Sequence, residues 1–371
     1  MRSWTRLASR RGVRYGAAAS ALLVVVGAGW FFLGGGYTSW RHEKSLADAC
    51  DGTVAVDQAR ALLETDDVTG ETRHGRAGED SPDGASPPVL CWLEGPNGHR
   101  HRVVVEMEWR SKAWGPQYMA GRTESPYLAR SGVPIGAGWS GMVIATDERA
   151  TATAVLRCHN TTGPRVGDSL SVFVAAFGSR PYQEAAQRVR LAQLATQTGR
   201  EAAREYGCDA QFGERVERVA PFEPGRNSYP DAPAVARAGG TCTGVRPGWL
   251  ITRAHGTAAD GAPVEDCLLT DDNGRTRFRL SAYYGTFADD QRLKTQSAKD
   301  FREDTTRVLR TDFVYRAQAT CPGTPRQAVF VIDYRERNDD DQPQRRYARA
   351  ALREFAERSA ARHGCTDTEL L

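Results

Sequence analysis

The sequence predicts an α+β protein with an N-terminal transmembrane helix followed by two similar tandem modules, each a small antiparallel sheet with a C-terminal helix, stapled by disulfides. Three observations predict this fold. A long uncharged segment follows a basic start, all eight cysteines lie beyond that segment, and one series of turns and strands occurs twice. The predicted division is a cytoplasmic basic tail (1–15), a transmembrane anchor (16–37), module 1 (41–208), a linker (209–241) and module 2 (242–371).

The anchor prediction depends on the length of the uncharged segment. At about 1.5 Å per residue, a helix over residues 16–37 reaches roughly 33 Å, enough to cross a hydrocarbon core of about 30 Å. A cleaved signal peptide is the second choice, because its apolar core is usually only about 7–15 residues long. Residues 37–40 also make no convincing cleavage site. An uncleaved anchor is therefore expected, with secretion after cleavage as the alternative, and Gly34, Gly35 and Gly36 predict a flexible exit from it.

The basic residues before the segment indicate its orientation. Five arginines precede it (Arg2, Arg6, Arg10, Arg11 and Arg14), so the positive-inside rule places the N-terminus in the cytoplasm and most of the chain outside. Removing these five from the 49 basic and 46 acidic residues leaves 44 against 46, a net charge of −2. The exported part therefore offers no argument for nucleic-acid binding.

The overall plan of the chain also points to a class of proteins. A short basic tail, one apolar segment and an exported part rich in arginine, alanine and glycine resemble uncharacterised single-pass membrane-anchored exported proteins of the high-GC Gram-positive bacterial type. This resemblance covers the plan only, has no diagnostic motif, and implies no active residue.

The cysteines predict a disulfide framework. An even number in an exported chain favours disulfides over metal binding, since no C-x-x-C pair or close Cys/His cluster occurs. Four cysteines per module allow three pairings. We expect the inner pairs to join neighbouring strands and the outer pairs to tie each helix end to the start of its domain: Cys91 with Cys158, Cys50 with Cys208, Cys267 with Cys321, and Cys242 with Cys365.

In module 1, the elements can be predicted from apolar spacing and turn residues. Residues 41–49 read as a polar stem, 54–63 as a short amphipathic helix and 65–88 as a surface loop rich in Gly, Pro, Asp and Ser. Residues 91–109 read as two strands around Asn97-Gly98, because Asn-Gly tolerates the positive φ angles of tight hairpins. Strands are then expected over 152–158 and 170–177, and a helix from 179 to about 206, with Gly207 as its C-terminal cap.

The same order returns in module 2. A hairpin with Asn273-Gly274 is predicted over 267–285, strands over 313–321 and 327–334, and a final helix over about 344–363. The two hairpins do not align in register: a one-residue slip after the turn is needed to match Val105 with Leu280. Because one residue of register turns every side chain to the other face, the hairpins are expected to differ by a bulge or in turn geometry.

Four features suggest chemistry, and each has a simpler interpretation. His99 and His101 share a strand face but lack a third metal ligand. Residues 138–141 (Gly-Trp-Ser-Gly) miss the last glycine of a nucleophile elbow, so a tight turn is favoured. Residues 271–274 and 338–341 lack the spacing of a calcium loop and suggest polar turns. His159 follows Cys158, which a disulfide would make unreactive.

No catalytic residue, metal site or cofactor is therefore predicted. The two halves share cysteines, turns and apolar stripes, whereas polar residues suited to chemistry are not paired between them. This favours a non-enzymatic, membrane-tethered binding or structural protein of the cell envelope, with an envelope component or a membrane protein as its partner. The alternatives are an envelope hydrolase with a site between the modules and an accessory subunit of a membrane complex.

Overall fold

The computed structural model describes the exported part in segments. The described residues are 36–74, 89–96, 101–110, 132–145, 149–158, 169–178, 182, 184–221, 229–259, 261–285, 287–288, 291, 312–322, 327–335 and 342–370. Four α-helices occur in them: α1 (Gly36–Ala47), α2 (Val56–Leu63), α3 (Ala185–Glu205) and α4 (Gln342–Arg362).

Thirteen strands in these residues form two antiparallel sheets. The first sheet contains β1 (Thr69–His74), β2 (Val89–Glu94), β3 (His101–Arg110), β4 (Val133–Gly136), β5 (Trp139–Ala145), β6 (Arg149–Arg157) and β7 (Ser169–Gly178). The second contains β8 (Arg253–Gly256), β9 (Val264–Thr270), β10 (Thr276–Tyr283), β11 (Asp312–Thr320), β12 (Gln327–Arg335) and β13 (Thr366–Leu370).

The predicted fold class is wrong. The described chain is mostly β, with sheets of seven and six strands instead of two small sheets in an α+β protein. The prediction lacked β5 and the edge strands β1, β4, β8 and β13. Short edge strands are formed by pairing with a neighbour and leave little periodicity of their own.

Within the described ranges, no helix combines the length and the apolar character needed to cross a bilayer. Residues 16–35 of the predicted anchor lie outside the described residues. Gly36 and Tyr37 begin α1, which continues through most of the predicted polar stem.

The central strands follow the same order in both sheets. The first sheet has the order β1-β2-β3-β7-β6-β5-β4 and the second β8-β9-β10-β12-β11-β13. Five strands therefore correspond position by position, from β1 with β8 to β6 with β11. In each half a long helix follows the last of these strands along the chain: α3 follows β7, and α4 follows β12. Each helix packs on one face of its own sheet, which we call the inner face.

The predicted strand pairing of both hairpins and their difference in register are confirmed, whereas the predicted turn at Asn97-Gly98 lies outside the described residues. In the first hairpin Cys91 pairs with Val105, without irregularity. In the second hairpin Cys267 pairs with Leu280. This partner is one residue nearer in sequence to its cysteine than Val105 is to Cys91, because the register shifts between Thr276 and Phe278. The shift keeps apolar residues on the core side of both sheets, since Val105 and Leu280 are both fully buried.

All eight cysteines form disulfides, but the predicted pairing is wrong. The bonds are Cys50–Cys91, Cys158–Cys208, Cys242–Cys267 and Cys321–Cys365. The prediction required Cys91 and Cys158 to lie on neighbouring strands, whereas β3 and β7 separate β2 from β6. In the second sheet, β10 and β12 separate Cys267 from Cys321 in the same way. Each module thus has one bond to its first hairpin and one to the end of its long helix.

Residues in the predicted linker pack against the modules at either end. Val216 and Val219 belong to the core of module 1, and Val235 and Ala238 belong to the core of module 2. Tyr229 stacks on His255, with ring centroids 4.7 Å apart. Residues 222–228 lie outside the described residues.

A third apolar cluster contains side chains from the outer faces of both sheets. Met142 and Ile144 come from β5, and Val264, Tyr283, Val329 and Val331 come from β9, β10 and β12. Phe287 and Ala288, which follow β10, complete the cluster. Each sheet therefore buries apolar residues on both faces: the inner face packs against the long helix of its module, and the outer face packs toward the other sheet.

Candidate functional site

A groove of about 1100 Å³ lies on module 1. One wall is the start of the β4–β5 hairpin, the second is the N-terminal half of α3, and the third is the extended segment 214–221. Ala258 of module 2 also contributes to the lining. We call this cavity the α3 groove.

The hairpin and the extended segment are held together by backbone contacts. The N–H of Glu214 donates to the carbonyl of Ala137 over 2.8 Å, and the indole N–H of Trp139 donates to the carbonyl of Glu214 over 2.8 Å. A Cβ on Gly213 would lie 2.5 Å from the Ala137 carbonyl oxygen, so only glycine permits this approach. The groove therefore has one wall fixed by the main chain.

Side chains of α3 fix the other side of the segment. Gln193 donates to the carbonyl of Val216 over 2.7 Å, and Arg188 donates to that of Val219 over 3.3 Å. Burial lowers the pKa of the Arg188 guanidinium. Arg190, which lines the groove, is held 2.6 Å from the Glu64 carboxylate. These contacts place Val216 and Val219 inward and leave the charged residues between them outward.

The lining combines apolar surface with charges of both signs. Ile135 is fully buried at the base, and Val189 is partly buried. Along the extended segment, Glu214, Arg215, Glu217 and Arg218 are exposed. Among the described residues of the lining there is no His, Cys, Ser, Thr, Tyr or Lys. The charged groups of the described lining are therefore two glutamates and three arginines, beside apolar side chains.

The densest buried polar cluster described lies elsewhere, where α4 meets β9. Glu265 is fully buried; its carboxylate accepts hydrogen bonds from Ser359 (2.7 Å) and Arg362 (2.6 Å), and His363 Nε2 lies 3.0 Å away. Burial acts to raise the pKa of Glu265, but the hydrogen bonds from His363, Arg362 and Ser359 outweigh it and lower the pKa.

Tyr284 completes this cluster, which we call the Glu265 network. Its hydroxyl is 2.6 Å from Ser359 Oγ, and its ring stacks on His363 at a centroid distance of 3.6 Å. Burial, together with the Glu265 charge, raises the Tyr284 pKa. Ser359 is fully buried and already donates to Glu265, so the network holds α4 on the sheet and presents no nucleophile to solvent.

The structure places two of the sequence candidates, residues 138–141 and 271–274, in turns. Residues 138–141 form the turn and start of β5 in an antiparallel hairpin, not the strand–turn–helix of a nucleophile elbow. Asp271 caps its own turn: it accepts from the backbone N–H groups of Asn273 and Arg275 and from the Arg277 side chain. Burial acts to raise the pKa of Asp271, but these hydrogen bonds outweigh the effect of burial, and the pKa is lowered.

The histidine candidates receive no support as metal ligands. His99, His159 and residues 338–341 lie outside the described residues, and His101 is described only as part of β3. In the described part of the chain, no group of three or more His, Cys, Asp or Glu side chains is arranged to hold a metal ion.

Comparison of the chain with protein-family models, with curated proteins and with solved structures found no match. Sequence reasoning missed both the α3 groove and the Glu265 network. The groove depends on how residues 214–221 fold back, and Glu265 resembles any acidic residue in an alternating strand, so neither has a local sequence signal.

Proposed function

We propose that this protein is a non-enzymatic binding protein, attached to the outer side of the cell membrane, that holds an extended polypeptide segment of an envelope or membrane partner in the α3 groove. The four disulfides indicate an oxidising, extracytoplasmic environment. Membrane attachment is supported by the uncharged sequence of residues 16–35 and the five arginines before it.

The observation that carries this proposal is the composition of the groove. An apolar base suits the side chains of a bound peptide, and a rim with two glutamates and two exposed arginines suits a partner with charges of both signs. An anionic polymer or a phosphate would favour a rim of one sign. The hydrolase alternative receives no specific support, because the two carboxylates of the described lining, Glu214 and Glu217, are both exposed on the rim.

Site-specific photo-crosslinking in the native membrane tests the proposal. A photoreactive amino acid replaces Val189 in the full-length protein, and the same residue replaces Arg353, which is exposed on α4, as the control. We expect a discrete crosslinked protein from position 189 only. The paired charge reversal Arg215→Glu and Arg218→Glu should abolish that product. Equal products from positions 189 and 353, or a product unaffected by charge reversal, would contradict the proposal.

A second variant tests the accessory-subunit alternative. Residues 16–35 are replaced by a neutral leucine segment of equal length, which preserves apolar character while removing any specific side-chain contact. We expect the product from position 189 to persist. Its loss, with the protein still in the membrane fraction, would indicate that the partner is recognised through the N-terminal segment.

A further inference from the structure

Helix α1 carries two different faces. His42, Ser45 and Leu46 recur at helical spacing and point toward module 1, where Leu46 is buried, as is Ala49 just beyond the end of the helix. Tyr37, Trp40, Arg41 and Lys44 recur at the same spacing on the other side and are exposed. We call the second set the outer stripe of α1. A helix with one buried stripe and one aromatic–basic stripe has two partners, of which module 1 is one.

The inner face of α1 is docked closely on strand β1. A Cβ on Gly70 would lie 2.6 Å from the Cβ of Ala49 and 2.9 Å from the carbonyl oxygen of Ser45. The Gly70 N–H donates to the Ser45 hydroxyl over 3.3 Å, and His42 pairs with Asp67. These contacts fix the direction of α1 relative to the first sheet.

The outer stripe has the chemistry of a membrane interface. Trp40 is 50% exposed and Tyr37 is 40% exposed, although large apolar side chains usually avoid water. Their ring centroids are 6.0 Å apart, and the Lys44 ammonium lies 5.6 Å from the Trp40 ring centroid. Tryptophan and tyrosine concentrate at the headgroup level of bilayers, and basic side chains reach the phosphates from there.

The position of α1 in the chain identifies the partner of this stripe. The uncharged residues 16–35 end where α1 begins, so a bilayer that accepts them lies next to Tyr37. We propose that the outer stripe lies among the phospholipid headgroups and that α1 thereby fixes module 1 at a set angle to the membrane. A flexible exit at the glycines before α1 would instead let module 1 change its angle freely. This inference rests on the proposed membrane attachment.

Fluorine NMR of the full-length protein tests the contact. The protein carries 5-fluorotryptophan and is reconstituted in vesicles of phosphatidylglycerol and phosphatidylcholine, some with a nitroxide on the headgroup. The Trp40 signal is assigned by its loss in Trp40→Phe. At an interfacial position, its relaxation enhancement should exceed that of Trp139, which is buried in β5, by about tenfold. Equal enhancement of the two signals overturns the inference.

The docking is tested by hydrogen exchange in the same vesicles. The variant Gly70→Ala forces Ala49 and Ser45 away, and exchange in α1 should become about tenfold faster while exchange in β9 is unchanged. The matched control is Gly239→Ala, since a Cβ at Gly239 meets no atom within 4 Å. Unchanged exchange in Gly70→Ala overturns the fixed angle. Loss of the protein from carbonate-washed vesicles overturns membrane attachment as well, whereas retention without Trp40 broadening overturns only this inference.

Discussion

Glu265 is the single residue on which the attachment of α4 depends most. Replacing it with glutamine removes the charge and leaves Arg362 and His363 against a neutral amide. Because both partners keep some exposure, we expect the loss of unfolding free energy to be at the lower end for a buried pair, about 2–3 kcal/mol at pH 7. Urea denaturation measures it, and Glu357→Gln on the exposed face of the same helix should change it by less than about 0.5 kcal/mol.

The pH dependence of this difference follows from the lowered pKa of Glu265. The carboxylate stabilises the fold fully above the unfolded-state pKa, about 4.3, and the contribution is lost as the pH falls through the lower folded-state pKa. The difference between wild type and Glu265→Gln should therefore shrink as the pH falls below about 4. A difference that grows below about pH 4 would contradict this assignment.

Ser140 and Gly141 differ in how closely they pack at the turn of residues 138–141. Ser140 is exposed, so Ser140→Ala should change the unfolding free energy by less than about 0.5 kcal/mol. A Cβ on Gly141 would lie 2.5 Å from the Thr153 carbonyl oxygen, so Gly141→Ala should cost about 1–3 kcal/mol. Thermal denaturation of both variants measures this. A stable Gly141→Ala protein would contradict the close strand packing.

At the scale of elements, the disulfides have equivalent places in the two modules. Cys158–Cys208 and Cys321–Cys365 both join the end of a strand to the end of the following long helix, with sequence separations of 50 and 44. Loop-closure entropy for separations of this size gives a stabilisation of about 4 kcal/mol each. Replacing either pair with alanine should lower the free energy of unfolding, measured by urea denaturation, by similar amounts.

Peptide mapping without reductant checks the connectivity directly. We expect four linked pairs of peptides, each within one module. A peptide joining Cys50 to Cys208, or any bond between modules, would contradict the structure.

The matched control for the stability prediction is the double variant Cys242→Ala with Cys267→Ala. Because these two cysteines are only 25 residues apart, their replacement should lower the free energy of unfolding by a smaller amount, about 3.5 kcal/mol.

Elements with strong local signals could be predicted from the sequence, and those created by pairing could not. The alternation of Val103, Val105 and Met107 specifies β3, and the small-residue stripe of α3 specifies a helix on a sheet. Strand β1 carries the sequence TGETRH, which has no apolar alternation and becomes a strand only by pairing with β2. The disulfide partners depend on strand order, which spacing along the chain does not encode.

At the scale of the whole molecule, the contact between the two sheets determines whether the modules act independently. Their outer faces bury an ion pair as well as the third apolar cluster: Arg279 lies 2.8 Å from Asp266, and both are almost fully buried. Ser281 donates to the same carboxylate over 2.6 Å. The third apolar cluster loses burial when either sheet unfolds, so exposure of one sheet weakens the other.

This coupling predicts one cooperative unfolding transition for the exported part, and a single substitution should divide it. Val331 is 4% exposed in the third apolar cluster, and its β10 partner Ser281 hydrogen bonds to Asp266. Val331→Asp places a second negative charge beside that carboxylate and removes apolar contact. Calorimetry should then show two transitions, with the lower one for module 2. Thr320→Asp, an exposed site on neighbouring strand β11, should retain one transition. A single unshifted transition in Val331→Asp would show that the sheets do not stabilise each other.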